Sequence, residues 1–167
     1  MQRLFLASLF KDVAKKFVEF ADEDLAGKTV TLIPTAAMPD KMLKFHLKYT
    51  KRMLSKMGLE VDELELSTAS DSEIAGKLET NDYIYISGGN TFYLLQELNR
   101  SGAGDIIKAQ VRSGKLLIGE SAGAIAAAPN IAYSKDMDDP SAAPQLKSYD
   151  ALNLIDFIRF RIIRTFP

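Results

Sequence analysis

The chain has 167 residues, of which 47% are apolar and 26% charged, and a formal net charge of −1, which is typical of one soluble globular domain. It contains no cysteine and a single histidine, which excludes disulfides, thiolate metal sites, a cysteine nucleophile and a histidine-rich metal site. Basic runs are missing before the last eleven residues, and no segment approaches the ~18 apolar residues of a membrane span. We therefore expect one domain over 1–167 that binds neither nucleic acid nor membrane.

The opening "MQRLFLASLF" combines a basic residue with an apolar run, as a short signal peptide would. The apolar run is brief, however, and "KDVAKKFVEF" continues it as an amphipathic helix without a cleavage-type region. This pattern favours a first strand at 3–10 and a cytoplasmic protein.

The rest of the chain alternates between strand-like and helix-like segments. Gly58 stands where a helix would end. Ser70 or Asp71 can cap another helix, and Glu73, three residues after Ser70, completes a capping box. Alternation of this kind predicts an α/β fold with a mainly parallel sheet and helices on both of its faces. The predicted strands are 3–10, 29–36, 60–66, 82–90, the apolar start of "KLLIGESAGA", and 149–157. The predicted helices are 11–24, 39–57, a short one through 79, and more than one across 91–113; 129–148 is a loop.

The stretch "LLIGESAGAIAAAP" (116–129) has the pattern of a nucleophile elbow, in which a serine sits on a sharp turn between a strand and a helix. Gly119 and Gly123 remove Cβ atoms where strand and helix approach each other, and Ser121 then projects above the sheet edge. The N–H of Ala122 lies at a helix N-terminus, where it can stabilise an oxyanion. Taken alone, the pattern also fits a serine that merely caps the helix.

A second glycine turn, "SGGNT" (87–91), also follows a strand. In a parallel sheet it lies at the same carboxyl edge as Ser121, where ligands bind. Gly88 and Gly89 can turn an N–H towards a developing negative charge, and Asn90 can hold the turn in place. A phosphate cradle is the alternative, but neither turn matches GxGxxG or the Walker A pattern.

These two motifs, "ISGGNTFYLLQEL" and "IGESAGAIAAAP", resemble the peptidase E (alpha-aspartyl dipeptidase) family of serine peptidases over residues 3 to about 157. The resemblance implies the three-layer α/β/α fold of the class I glutamine amidotransferases. It further implies hydrolysis of dipeptides with an N-terminal aspartate, without a metal or cofactor. Ser121 would be the nucleophile, and Gly88, Gly89 and Ala122 would form the oxyanion hole.

The family also carries an acidic residue in the loop after the serine helix. In this chain "SKDMDD" offers Asp136, fifteen residues after Ser121, although Asp136 would equally suit a solvated loop. Glu120, directly before the serine, is expected to face away from it in a structural role.

The histidine that the family carries after this loop is missing, because no histidine follows Ser121. The one histidine, His46, falls in predicted helix 39–57, and we expect it on a face of the sheet, away from the catalytic edge. For one choice of codons, restoring a single base turns "FIRFRIIRTFP" into Phe-Tyr-Pro-Phe-Pro-His-Tyr-Pro-Asn-Phe-Pro, with histidine at the place of Ile162. We therefore expect a frameshifted, C-terminally shortened family member, without the usual C-terminal elements.

Without a base, Ser121 stays protonated, so the chain is expected to have little or no peptidase activity. Two other classes remain open, a pseudoenzyme that binds acidic peptides and an interaction protein that pairs through its sheet edge. The tail alternates apolar residues with arginines, which predicts an edge strand and a homodimer through 150–167; a disordered tail on a monomer is the alternative.

Overall fold

The protein is described by a computed structural model, which covers residues 2–40 and 42–156. Five strands form one fully parallel sheet, with the spatial order β1-β5-β4-β2-β3. β5 is an interior strand, so its carboxyl end lies between those of β1 and β4. The strands are β1 (Arg3–Ala7), β2 (Thr29–Ile33), β3 (Glu60–Glu63), β4 (Tyr83–Ile86) and β5 (Leu116–Glu120).

Helices cover both faces of this sheet, because alternate strand residues point to opposite sides. Ile84, Ile86 and Leu117 share one apolar core with side chains of α3, α4, α5 and α6. Tyr83, Tyr85 and Ile118 share a second core with side chains of α1 and α2. The predicted three-layer α/β/α fold is confirmed. The helices are α1 (Phe10–Ala21), α2 (Leu43–Lys56), α3 (Asp71–Thr80), α4 (Thr91–Arg100), α5 (Ala103–Arg112) and α6 (Ala122–Ile125).

The elements follow the predicted order, but several bounds differ. Predicted strand 3–10 ends at Ala7, since Leu9 already caps α1 in place of continuing the strand. The helices predicted across 91–113 are confirmed as two, which separate at Gly102, whose φ of +70° is unsuited to a right-handed helix. The Ser70 cap and the turn at Gly58, with φ of +95°, are as expected.

The predicted strand at 149–157 is wrong over its described part, 149–156. The N–H groups of Leu152 and Leu154 donate to the carbonyls of Ala126 and Ala127, at the end of α6, and not to a neighbouring strand. This apolar segment satisfies backbone groups that the short helix leaves open, which a hydropathy pattern does not distinguish from sheet pairing. The predicted edge strand in the tail lies outside the described residues.

In the part of the chain that the structure describes, no helix is long and apolar enough to cross a membrane.

Candidate active site

Ser121 lies between β5 and α6 in a backbone conformation that L-residues rarely adopt, with φ of +49° and ψ of −108°. Its N–H donates to the carbonyl of Ala7 at the end of β1, at 2.8 Å, which fixes the turn to the neighbouring strand. A strained residue held by its surroundings is a recurrent feature of functional sites. The sharp turn between a strand and a helix is the one that the sequence predicts.

The glycines flanking Ser121 allow a close approach of backbones that a side chain would prevent. A Cβ on Gly119 would lie 2.8 Å from the carbonyl carbon of Gly123, and a Cβ on Gly123 would lie 2.3 Å from the carbonyl oxygen of Ile86. Both distances are shorter than real Cβ contacts, so these positions require glycine for packing. The sequence suggests that Gly119 and Gly123 support the turn, and this lack of space for a side chain is the physical reason.

The second glycine turn lies directly beside Ser121. A Cβ on Gly88 would be 3.1 Å from the Cβ of Ser121 and 3.8 Å from its Oγ, so the predicted proximity of the two turns is confirmed. The N–H groups of Gly88 and Gly89 have no acceptor among the described residues, whereas those of Ser87 and Asn90 donate to Ile33 and Ala36. Gly88, which lies against Ser121, and the next residue, Gly89, therefore each carry an amide donor that is not used within the described part of the chain.

Asn90 holds this turn from its helical side. Its Oδ1 accepts the N–H of Tyr93 and caps α4, while its Nδ2 donates to the carbonyl of Asp139 at 2.9 Å. Asp138 accepts the N–H and the hydroxyl of Thr91 at the same helix end. The loop after α6 is thereby attached to the glycine turn through Asp138 and Asp139.

Glu120 connects the serine turn to the start of α1. One carboxylate oxygen accepts the N–H of Phe10 at 2.9 Å, and the other accepts the hydroxyl of Tyr85 at 2.8 Å. Burial, together with the charge of Glu120, raises the pKa of Tyr85, so its hydroxyl stays protonated and remains a donor. These bonds agree with the structural role that the sequence suggests for Glu120.

A cavity of about 440 Å³ opens at this edge of the sheet. Its floor includes Ser87, Gly88, Gly89, Glu120 and Ser121, and its walls come from the start of α1 and from α2. Ser121 and the glycine turn thus face a space large enough for a small ligand.

The model of peptidase family S51 matches residues 4–160, nearly the whole chain. The chain belongs to peptidase family S51.

Relatives within family S51 agree with this assignment. An uncharacterized peptidase of Listeria innocua is 53% identical over 157 residues, which are 94% of this chain and 74% of the relative. A peptidase E of Pasteurella multocida is 35% identical over 131 residues, 78% of this chain and 52% of the relative. A solved structure from Listeria monocytogenes, provisionally designated peptidase E, superposes with a TM-score of 0.90 at 51% identity, covering 93% of this chain and 76% of that one.

Two S51 site expectations concern residues outside the serine and glycine turns. Asp136 ends a short 3₁₀ helix, Ala132–Asp136, where it is exposed and is not among the described residues that line the cavity. Its assignment as the acidic partner stays a prediction.

The expectation that His46 lies away from the catalytic edge is wrong. Its helix, α2, does pack on a face of the sheet through Leu54, but the N-terminal half of the helix overhangs the carboxyl edge. His46 is exposed and lines the same cavity as Ser121. Within the described ranges, no hydrogen bond joins its ring to Ser121 Oγ, or joins that Oγ to any other side chain.

The walls of the cavity are the part of this S51 site that the sequence did not indicate. Leu9, Leu43, Leu47 and Met53 were assigned only to helices or strands, yet they line the space above Ser121. Their positions depend on how α1 and α2 pack against the sheet, and local sequence patterns do not predict this tertiary packing. No cluster of three metal-binding side chains occurs among residues 2–40 and 42–156.

Proposed function

We propose that this S51 chain carries the hydrolytic site of a serine peptidase, with Ser121 as nucleophile. The observation that carries the proposal is the contact between the two turns: a Cβ placed on Gly88 would lie 3.1 Å from the Cβ of Ser121. It brings a serine on a strained turn next to amide donors that have no acceptor among residues 2–40 and 42–156, and acyl transfer requires such donors beside the nucleophile.

The proposed reaction follows the chemistry of serine peptidases. Ser121 Oγ attacks the carbonyl carbon of the scissile peptide bond, and a base takes the hydroxyl proton. The carbonyl oxygen becomes an oxyanion, which accepts hydrogen bonds from the N–H groups of Gly88, Gly89 and Ala122. The proton then passes to the departing amine, and water hydrolyses the acyl-serine. No metal or cofactor takes part in this scheme.

We further propose that the substrates are short peptides with an N-terminal aspartate, as the resemblance to peptidase E implies. The small cavity volume, about 440 Å³, supports a dipeptide-sized ligand. Asp136 is the proposed acidic partner of the base, acting from the loop after α6.

The 167-residue chain is expected to be nearly inactive, because none of the described side chains that neighbour Ser121 is hydrogen-bonded to its hydroxyl as a base. Loss of a triad histidine lowers turnover by a factor on the order of 10⁶. An assay of Asp-Leu hydrolysis, in which released leucine is measured, tests this directly. We expect no turnover by the 167-residue chain and measurable turnover once the histidine-bearing reading frame is restored from Phe157 onwards.

Clear turnover by the 167-residue chain that disappears in Ser121→Ala would show that a base is already present, with His46 the first candidate. Turnover that persists in Ser121→Ala would refute the nucleophile assignment. Ser113→Ala, at an exposed helix end, is the matched control and is expected to change neither result.

The second candidate is a non-catalytic peptide-binding protein. It is favoured by the same observation that argues against turnover, an open cavity beside a serine without a bonded base. Saturable binding of Asp-Leu with neither turnover nor acylation of Ser121 would favour this function over the peptidase.

A further inference from the structure

The turn between β1 and α1 is fastened at both of its ends to two adjacent residues of the serine turn. At its start, the carbonyl of Ala7 accepts the N–H of Ser121 at 2.8 Å. At its end, the N–H of Phe10 donates to a carboxylate oxygen of Glu120 at 2.9 Å. Because Glu120 directly precedes Ser121, these two hydrogen bonds form a clamp that joins residues 7–10 to the strained serine.

The Phe10 side of this clamp is rigid. The Phe10 ring is fully buried and packs edge-on against Phe5, Phe17 and Tyr85, with ring centroids between 5.2 and 6.0 Å apart. The N-cap residue of α1 supplies no side-chain cap to the helix. The first N–H of α1 is therefore a donor in a fixed position, and the Glu120 carboxylate takes the place of a local cap.

The clamp is of the right strength to hold Ser121 in its conformation. A φ of +49° is strained for a residue with a Cβ, and such strain persists only where the surroundings impose it. A hydrogen bond that involves a charged group stabilises a fold by about as much as this strain costs. Without the Glu120 bond, one hydrogen bond to residues 7–10 is left, and the serine turn is free to relax.

We propose that Glu120 is a positioning residue for the nucleophile and acts on Ser121 through the turn at residues 7–10. The geometry of its carboxylate, and not its negative charge, is what Ser121 requires. The proposal rests on the function proposed above, because it concerns the reactivity of Ser121. It gives Glu120 a part in that reactivity in addition to its structural role.

Two conservative substitutions separate the geometry of the Glu120 side chain from its charge. Glu120→Gln keeps the length and loses the charge. Its amide oxygen can still accept the N–H of Phe10, while its amide nitrogen faces the Tyr85 hydroxyl, which can rotate to become the acceptor. Glu120→Asp keeps the charge but is shorter by one methylene group, which draws the carboxylate back from Phe10 and Tyr85.

The test measures the rate constant at which a fluorophosphonate labels Ser121 at pH 9, corrected for the folded fraction of each sample. We expect Glu120→Gln to label within about threefold of the unsubstituted chain, because the bond to Phe10 is kept. Glu120→Asp and Glu120→Ala should label about ten- to a hundredfold more slowly, since displacing a reacting group costs rates of this order. Hydrogen exchange at the Ser121 N–H should accelerate in the same two variants and stay unchanged in Glu120→Gln.

Asn81→Ala is the matched control for the loss of buried hydrogen bonds. The Asn81 amide is buried near the amino end of β4, away from the cavity, and donates to Thr31 and Asp62 at 2.9 and 3.0 Å. This variant should be less stable than the unsubstituted chain and yet label Ser121 at the same corrected rate.

Slow labelling of Glu120→Gln together with unchanged labelling of Glu120→Asp would overturn the proposal, because the charge would then be what Ser121 requires. Equal rates in all three Glu120 variants and the unsubstituted chain would also overturn it, but would leave Ser121 standing as the nucleophile. Failure of Ser121 to label in the unsubstituted chain would instead refute the proposed nucleophile, and with it this positioning role.

Discussion

At the scale of single residues, the backbone of Ser121 carries the clearest sign of a functional demand. Its φ of +49° suits glycine better than any residue with a Cβ, and yet the position holds serine. The strained conformation is held by the hydrogen bond from the Ser121 N–H to the carbonyl of Ala7 and by the close packing at Gly119 and Gly123. Such a position favours reactivity at the expense of stability.

We therefore expect Ser121→Gly to be more stable than Ser121→Ala by about 1 kcal/mol, because glycine relieves the strained φ. Chemical denaturation measures the difference in free energy of unfolding. Ser113, with an ordinary φ of −75°, is the matched control: there glycine should be less stable than alanine by about 0.5–1 kcal/mol. A lower free energy of unfolding for Ser121→Gly than for Ser121→Ala would show that the backbone of Ser121 is not strained.

The adjacent glycines 88 and 89 should respond very differently to alanine. A Cβ on Gly89 would lie 2.0 Å from the carbonyl oxygen of Ala36, at a φ of +148°, so Gly89→Ala should cost more than about 3 kcal/mol of stability. Gly88→Ala places its methyl group against Ser121 at 3.1 Å, so it should cost about 1 kcal/mol or less while obstructing the hydroxyl.

The measurements for this pair are thermal unfolding and the rate of fluorophosphonate labelling at Ser121. Gly76→Ala is the control, because its Cβ would meet nothing within 4 Å on a helix, and stability should rise slightly. Full labelling in a folded Gly88→Ala variant would argue against a role of this turn in the site.

At the scale of elements, the N-terminus of α4 links the glycine turn to the loop after α6. Asp138 accepts both the N–H and the hydroxyl of Thr91, so Asp138→Ala should destabilise the protein by about 1–2 kcal/mol. Hydrogen exchange at Thr91–Tyr93 should accelerate in the same variant.

Asp136→Ala is the matched control for Asp138→Ala, since the Asp136 side chain is exposed and makes no hydrogen bond to the described residues. It should leave both stability and exchange unchanged. Equal destabilisation by the two substitutions would contradict the role of Asp138 as acceptor of the N–H and hydroxyl of Thr91.

The elements also show how far the sequence alone reaches. "SGGNT" and "GESAGA" predict their positions correctly, because two glycine turns after parallel strands must meet at one carboxyl edge. The strand predicted at 149–157 is wrong over 149–156, because backbone N–H groups there donate to carbonyls beside α6 and not to a neighbouring strand. The location of His46 was missed because the overhang of α2 depends on tertiary packing, which helical periodicity does not encode.

At the scale of the whole molecule, β1 has an open edge within the described part of the chain. It pairs only with β5 there, and a groove of about 360 Å³ runs along its other side, lined in part by Phe5, Leu6 and Val13. Leu9 and Phe20 of the same region are more than two-fifths exposed. Unpaired strand edges beside apolar surface tend to pair with another chain.

We accordingly keep the expectation of a homodimer that involves the region near 150–167. Light scattering at micromolar concentration should give a dimer for the 167-residue chain and a monomer for a chain ending at Asp156. Monomers in both samples would refute the proposed association, and dimers in both would move the interface to another surface, with the open edge of β1 the first candidate.

The most direct test of the whole account is covalent labelling with a fluorophosphonate at pH 9, where hydroxide can take the serine proton in place of the missing base. Mass spectrometry of the digested protein then identifies the modified residue. The account predicts that Ser121 reacts faster than every other serine and that Ser121→Ala abolishes this rapid labelling. Equal or faster reaction at other serines would contradict the assignment of Ser121 as the nucleophile.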